Sequence, residues 1–193
     1  MADERTGANV VLGVTGSIAA YKAASVVRGL MAHGHPVQVV MTAAAQCLVT
    51  ATTFRALSGQ PVITRLFIDE EAAGLRHIQL AEWADVLAIV PATANVIGKA
   101  ANGIADDILT CTWMACDCPK VVAPAMNDRM WAGDAVQRNC DYLRGLPNVS
   151  FVGPVEGKLA SSKMGMGHLA PVDEIVRAIR AAARTQEKGT ASE

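Results

Sequence analysis

Asp85-Val86-Leu87-Ala88-Ile89-Val90, then Pro91-Ala92-Thr93-Ala94-Asn95, then an Ala/Gly-rich stretch: this segment decides the fold. An acid followed by an unbroken apolar run suits a central parallel strand buried on both faces. The small, polar, proline-stiffened turn after it lies where open α/β folds bind ligands, at the carboxyl ends of the strands. Two further stretches are placed to meet it there. One is Gly13-Val14-Thr15-Gly16-Ser17, after the first strand; the other is Pro124-Ala125-Met126-Asn127, after the fifth.

Outward from this point, strands and helices alternate. Strands are predicted at Asn9 to Gly13, Pro36 to Met41, Pro61 to Leu66, Asp85 to Val90, Lys120 to Ala123 and Val149 to Val152. Helices are predicted at Ile18 to His33, Ala43 to Leu57, His77 to Trp83, Asn95 to Cys116, Met130 to Leu143 and Val172 to Arg184. Asp69 to Arg76 and the Gly/Ser/Lys-rich stretch Val155 to Leu169 are expected as loops. Such alternation gives a parallel sheet covered on both faces. The expected fold is therefore a doubly wound α/β single domain, Rossmann-like or flavodoxin-like. It spans residues 9–184, between a polar leader (1–8) and a flexible tail (185–193).

Composition narrows the class. A chain of 193 residues that is 51% hydrophobic and 4% aromatic can bury a large Ala/Val-rich core. A formal net charge of -1 gives no general attraction to nucleic acid or anionic membrane. No apolar run has the length of a membrane span, and the acidic start is no signal peptide. Five cysteines without export signals suggest reduced thiols and a cytoplasmic location. Cys116 and Cys118 have poor zinc spacing, and no metal site is expected.

The small residues after the first strand let backbone N–H groups approach a phosphate. Gly13-x-x-Gly16 is not the dinucleotide fingerprint, and the second strand ends in Thr42 where that fold needs an acid. No phosphate-binding loop of the nucleoside triphosphatases occurs. A mononucleotide such as FMN fits better, with hydroxyls from Ser17 and Thr42 and a polar turn at Thr93 to Asn95.

Gly13-Val14-Thr15-Gly16-Ser17-Ile18-Ala19-Ala20-Tyr21-Lys22 resembles the opening of the homo-oligomeric flavin-containing cysteine decarboxylases. Pro91 to Asn95 is similar to their PASANT motif, and Pro124 to Trp131 to their PxMNxxMW motif. His77 sits where that family carries its active-site histidine. The resemblance covers about residues 9 to 180 and implies FMN held by Gly16, Ser17, Ile18, Thr42, Pro91, Ala92, Thr93, Ala94 and Asn95. It implies His77 as acid/base and Asn127 holding the substrate carboxylate and amide, although an Asn opening a helix also serves as an N-cap. Met126 and Trp131 would shape the pocket. It further implies a homotrimer or dodecamer, with the flavin between neighbouring subunits.

The family has two branches. One decarboxylates 4'-phosphopantothenoylcysteine on the way to coenzyme A; the other oxidatively decarboxylates the C-terminal cysteine of a ribosomally made peptide, giving an aminoenethiol for ring formation. Gly157 to Leu169 resembles the family's substrate clamp, with Ala160, Ser161 and Ser162 at the substrate. Ser161 stands where many coenzyme A enzymes have a proton-donating cysteine. A thiol titrates at about 8.5 and an alkyl hydroxyl is a far weaker acid, so the reaction is expected to stop at the oxidised product. His168 stands in place of the usual Arg, and no synthetase domain follows. These departures favour the peptide branch, with the coenzyme A decarboxylase as the alternative.

Overall fold

The computed structural model describes residues 7–67, 75–158 and 164–190. Five parallel strands form the sheet: β1 (Val10–Val14), β2 (Val37–Met41), β3 (Val86–Ala92), β4 (Lys120–Pro124) and β5 (Val149–Phe151). Their spatial order is β2-β1-β3-β4-β5, with β1 paired to β2 on one side and β3 on the other. The order reverses between β1 and β3, which opens a crevice at their carboxyl ends.

The strands sort their side chains by the two-residue period. Val10, Leu12 and Val14 of β1 and Val86, Ala88 and Val90 of β3 enter one core cluster. Val11 of β1 and Leu87 and Ile89 of β3 enter the other. The first cluster is closed by α1 (Ala23–Ala32), α3 (Ala51–Ser58) and α9 (Val172–Thr190), which contribute Leu30, Phe54 and Ile175 among others. α9 buries Ile175, Val176, Ile179 and Ala183, a stripe at helical spacing. The second face is covered by α4 (Arg76–Trp83), α5 (Ala94–Ala101), α6 (Ile108–Ala115) and α8 (Asp134–Arg144), through Leu80, Ile97, Trp113 and Leu143. Two short helices complete the set, α2 (Ala43–Gln46) and α7 (Asp128–Trp131).

At the amino ends of the strands, the Asp85 carboxylate accepts the Asn9 backbone N–H at 2.7 Å, and the Asn9 amide donates to the Trp83 carbonyl at 3.0 Å. Asp85 thus fixes where the central strand begins.

Several expected elements are corrected. The strand at Pro61 to Leu66 is a single parallel bridge between Val40 and Ile63. The helix at Ala43 to Leu57 is two, because Thr50 restarts the chain in extended conformation before α3. The helix at Asn95 to Cys116 is also two. α5 stops at Asn102, and Asp107 with Thr110 forms a reciprocal capping box that starts α6. The helix at Met130 to Leu143 divides at Gly133 into α7 and α8. The loop Val155 to Leu169 contains an antiparallel hairpin, β6 (Val155–Lys158) and β7 (Met164–His168). The first helix opens with a 3-10 turn at Ile18–Lys22 before α1. α9 runs on to Thr190, six residues beyond the expected end at Arg184.

Candidate functional site

A cavity of about 520 Å³ opens at the carboxyl ends of β1, β3 and β4. Its wall comes from the turn after β1, the turn after β3, the turn after β4 and the end of β7. A buried hydroxyl joins the first two. Thr15 Oγ1 donates to the Pro91 carbonyl at 2.6 Å and accepts the Thr93 N–H at 3.1 Å. Its tie spans the crevice at the point where strand order reverses.

The turns owe their shape to particular residues. Gly16 lies so close to α2 that a Cβ there would stand 2.5 Å from the Ala44 Cβ. Ser17 caps the 3-10 turn, its Oγ accepting the Ala19 N–H at 3.3 Å. Thr93 caps α5 through the Val96 N–H. Asn127 caps α7, its Oδ1 accepting the Arg129 N–H at 2.9 Å. The amide NH2 of Asn127 has no protein partner among the described residues, so two donors remain for a ligand.

The hairpin is fastened to this third turn. The Met126 N–H donates to the Gly167 carbonyl at 3.0 Å. Gly167 has φ +144, and a Cβ there would lie 2.3 Å from the Met126 carbonyl oxygen. Only glycine allows both the conformation and the approach.

Of the sequence-derived site residues, Gly16, Ser17, Ile18, Thr93, Met126 and Asn127 line the cavity. Pro91 and Ala92 are buried in β3 beneath it, and Pro91 supplies the carbonyl that Thr15 holds. Ala94 and Asn95 belong to the first turn of α5 and do not line it. Thr42 also stands outside, spending its hydroxyl on the Ala45 N–H and the Val14 carbonyl. Trp131 packs into the second core cluster, with the Arg144 guanidinium 5.9 Å from its ring centroid. His77 lies in the first turn of α4, outside the lining, and its Nδ1 is buried without a partner among the described residues. Ala160, Ser161 and Ser162 lie outside the described residues.

Several contributors were not singled out as site residues from sequence. Tyr21, Lys22 and Met130 line the cavity, and Thr15 braces it. Tyr21 and Lys22 were legible only as part of a motif, and Thr15 only as one small residue among several. Among the described lining residues, which include neither Asp nor Glu, Lys22 is the one Lys or Arg.

The sequence matches the Flavoprotein family over residues 2–184. The chain belongs to the Flavoprotein family. The crystal structure of the FMN-dependent cysteine decarboxylase SpaF is 35% identical with a TM-score of 0.78, over 94% of this chain and 98% of that one. A mutant PPC decarboxylase complexed with pantothenoylaminoethenethiol is 30% identical with a TM-score of 0.79, over 91% and 97%. These likenesses put this flavoprotein in the flavin-dependent cysteine decarboxylase superfamily. The coenzyme A biosynthesis bifunctional protein CoaBC of Bacillus subtilis (strain 168) is 44% identical over 169 residues, 88% of this chain. The flavoprotein spans 41% of that relative's length. No helix among the described residues is long and apolar enough to cross a membrane.

Proposed function

We propose that this flavoprotein is an FMN-dependent decarboxylase acting on a cysteine-derived carboxylate, and that its substrate is 4'-phosphopantothenoylcysteine. Asn127 carries the catalytic half of this proposal. Its oxygen is committed to capping α7, while its NH2 has no protein acceptor among the described residues and the residue lines the cavity. A neutral amide donating two hydrogen bonds orients a carboxylate without placing a positive charge beside it. Such a charge would stabilise the carboxylate ground state and oppose loss of carbon dioxide.

The cavity suits the cofactor. It is of the size that takes cofactor-like ligands, its described lining carries no carboxylate, and Gly16, which lines it, lets the turn after β1 close against Ala44 of α2. Gly16, Ser17 and Thr93 would hold the nucleotide, with Ile18 and Met130 as apolar surface. When bound, FMN supplies a two-electron acceptor for the cysteine side chain. Met126 and Met130 would lie against the bound groups, and Asn127 would hold the carboxylate. His77, outside its own chain's cavity, would move protons in a cavity completed by a second copy, as a homotrimer or dodecamer would allow. Its buried, unpartnered Nδ1 supports a role beyond packing.

The choice of substrate follows the relatives. The 44% identity to a coenzyme A biosynthesis protein weighs more than the sequence departures that favoured the peptide branch. A second proposal stands because of Ser161. With a hydroxyl at the proton-donor position, the product would be the oxidised enethiol of a cysteine-ended peptide, and the 35% identity to SpaF supports it.

Mass spectrometry after incubation separates the two. Loss of carbon dioxide from 4'-phosphopantothenoylcysteine, with a cysteine-ended peptide untouched, supports the first proposal. Loss of carbon dioxide and two hydrogens from the peptide alone supports the second. Both substrates unchanged, with FMN bound, would overturn the decarboxylase assignment.

A further inference from the structure

At the amino ends of the strands, opposite the cavity, four side chains of one short segment pack together. Cys116 caps the end of α6, Cys118 follows two residues on, Lys120 opens β4, and Trp113 lies one turn back on α6. The two thiols are 3% and 5% exposed and Lys120 is 7% exposed. The Cys116 Sγ also reaches the Ala81 carbonyl of α4, at 3.9 Å.

Lys120 is the unusual member. Its ammonium donates to the Cys116 carbonyl at 2.5 Å and lies 5.5 Å from the Trp113 ring centroid. It makes no ion pair with a carboxylate among the described residues. A buried cation is costly unless an anion accompanies it, and Cys118 can supply one. The Cys116 hydrogen bond holds Cys118 below the usual thiol range, helped by Lys120 and the Leu87 N–H and opposed by burial and the Asp85 carboxylate. Cys116 is the donor of that bond and is raised by it, by burial and by Asp117, so it keeps its proton. Thiolate character therefore gathers on Cys118, with a protonated thiol beside it.

Spacing lets the two join. Cα atoms two residues apart are at most about 7 Å apart, and a disulfide needs about 4.4–6.8 Å. Burial selects the oxidant, because hydrogen peroxide is close to water in size and bulky disulfides are not.

We propose that Cys116 and Cys118 form a modification site for hydrogen peroxide, with Cys118 as the attacking thiol, Cys116 as the resolving one and an intramolecular disulfide as the product. The Cys118 thiolate attacks one peroxide oxygen; an S–O bond forms, the O–O bond breaks, and the leaving hydroxide takes a solvent proton to become water. Cys116 then displaces hydroxide from the Cys118 sulfur, and its own proton turns that hydroxide into a second water. The sulfur pair loses two electrons and the peroxide gains them. The site lies apart from the cavity and depends on neither the flavin nor the choice of substrate.

The full chain as purified is exposed to hydrogen peroxide, then unfolded, alkylated and digested, and the peptide holding both thiols is followed by mass spectrometry. It should lose two hydrogens and regain them with dithiothreitol. Cys116→Ala should stop the reaction at a Cys118 sulfenic acid, trapped by dimedone. A neighbouring cation is worth about 10- to 1,000-fold in thiolate fraction, and the greater nucleophilicity of a more basic thiolate returns about half of that on a logarithmic scale. Lys120→Met should therefore slow oxidation of Cys118 about 3- to 30-fold; if that variant does not fold, Cys116→Ala carries the test alone. Free thiols at both positions while exposed Cys47 is oxidised would overturn the site. A disulfide from either thiol to Cys47, Cys111 or Cys140 would overturn the pairing, and Cys118 left unoxidised in Cys116→Ala would overturn its role as the attacking thiol.

Discussion

Thr15→Val isolates the tie across the crevice. Thr15 is 2% exposed, and its hydroxyl satisfies both the Pro91 carbonyl at 2.6 Å and the Thr93 N–H at 3.1 Å. Valine matches the shape of threonine but offers neither partner anything. Each orphaned group costs about 1–3 kcal/mol, so the variant should lose about 2–6 kcal/mol. That is a large part of a typical domain's total of about 5–15 kcal/mol. Thr15→Ser keeps the hydroxyl and removes one methyl, at about 1 kcal/mol. Urea unfolding of the flavin-free protein reads both, as a lower midpoint at unchanged slope. Flavin affinity should fall in Thr15→Val, because the two turns that wall the cavity lose their common anchor. A Thr15→Val midpoint within about 0.5 kcal/mol of wild type, the range of an ordinary surface change, would refute the bracing role.

Gly167→Ala should detach the hairpin from the third turn, since its Cβ would lie 2.3 Å from the Met126 oxygen in a backbone conformation that alanine avoids. Faster amide exchange at Met126, with β3 protected as before, would check this. The thiols should react in order of exposure. Cys47 is exposed and should label at once, whereas Cys116 and Cys140 are buried and raised, Cys116 by its hydrogen bond with Cys118 and then by burial, Cys140 by burial. Timed alkylation with peptide mapping reads the order, and early labelling of Cys116 would contradict the packing of α6. Asp106 sits below its ordinary value of 3.8 because Lys99 donates to it at 2.6 Å. A depressed acid stabilises the fold above its unfolded value and ceases to as pH falls through the folded one. Any deficit of Asp106→Asn at neutral pH should therefore vanish in acid, which unfolding midpoints across pH would show.

The doubly wound order was legible because the strands carry their own evidence. Val86 to Val90 is apolar at every position, and only a strand covered on both faces needs that. Ile175, Val176 and Ile179 gave α9 its stripe in the same way. What escaped was punctuation that depends on side-chain bonds. The break between α5 and α6 rests on Asp107 exchanging hydrogen bonds with Thr110, within a stretch that reads as one apolar helix. The hairpin escaped because Met164-Gly165-Met166-Gly167 has weak strand propensity, and Gly167 is held by the turn at Met126 rather than by its own sequence. At the site, the residues at strand ends were identifiable by position, as Ser17, Thr93 and Asn127 illustrate. The meeting of Lys22 with His168, 2.9 Å from Nζ to Nε2, was not, because 146 positions separate them and only the closed fold brings them together. Thr42, expected as a ligand hydroxyl, stands at the start of α2, where its hydroxyl accepts the Ala45 N–H.

Identification of the flavin tests the central claim most directly. Purified chain is denatured, and the released chromophore is resolved by chromatography and mass spectrometry; flavin-free protein is then titrated with FMN. FMN should be the species released, and titration should restore it at one equivalent per chain with quenched fluorescence. A colourless protein that leaves the fluorescence of added FMN unchanged would contradict the assignment of this cavity to a flavin.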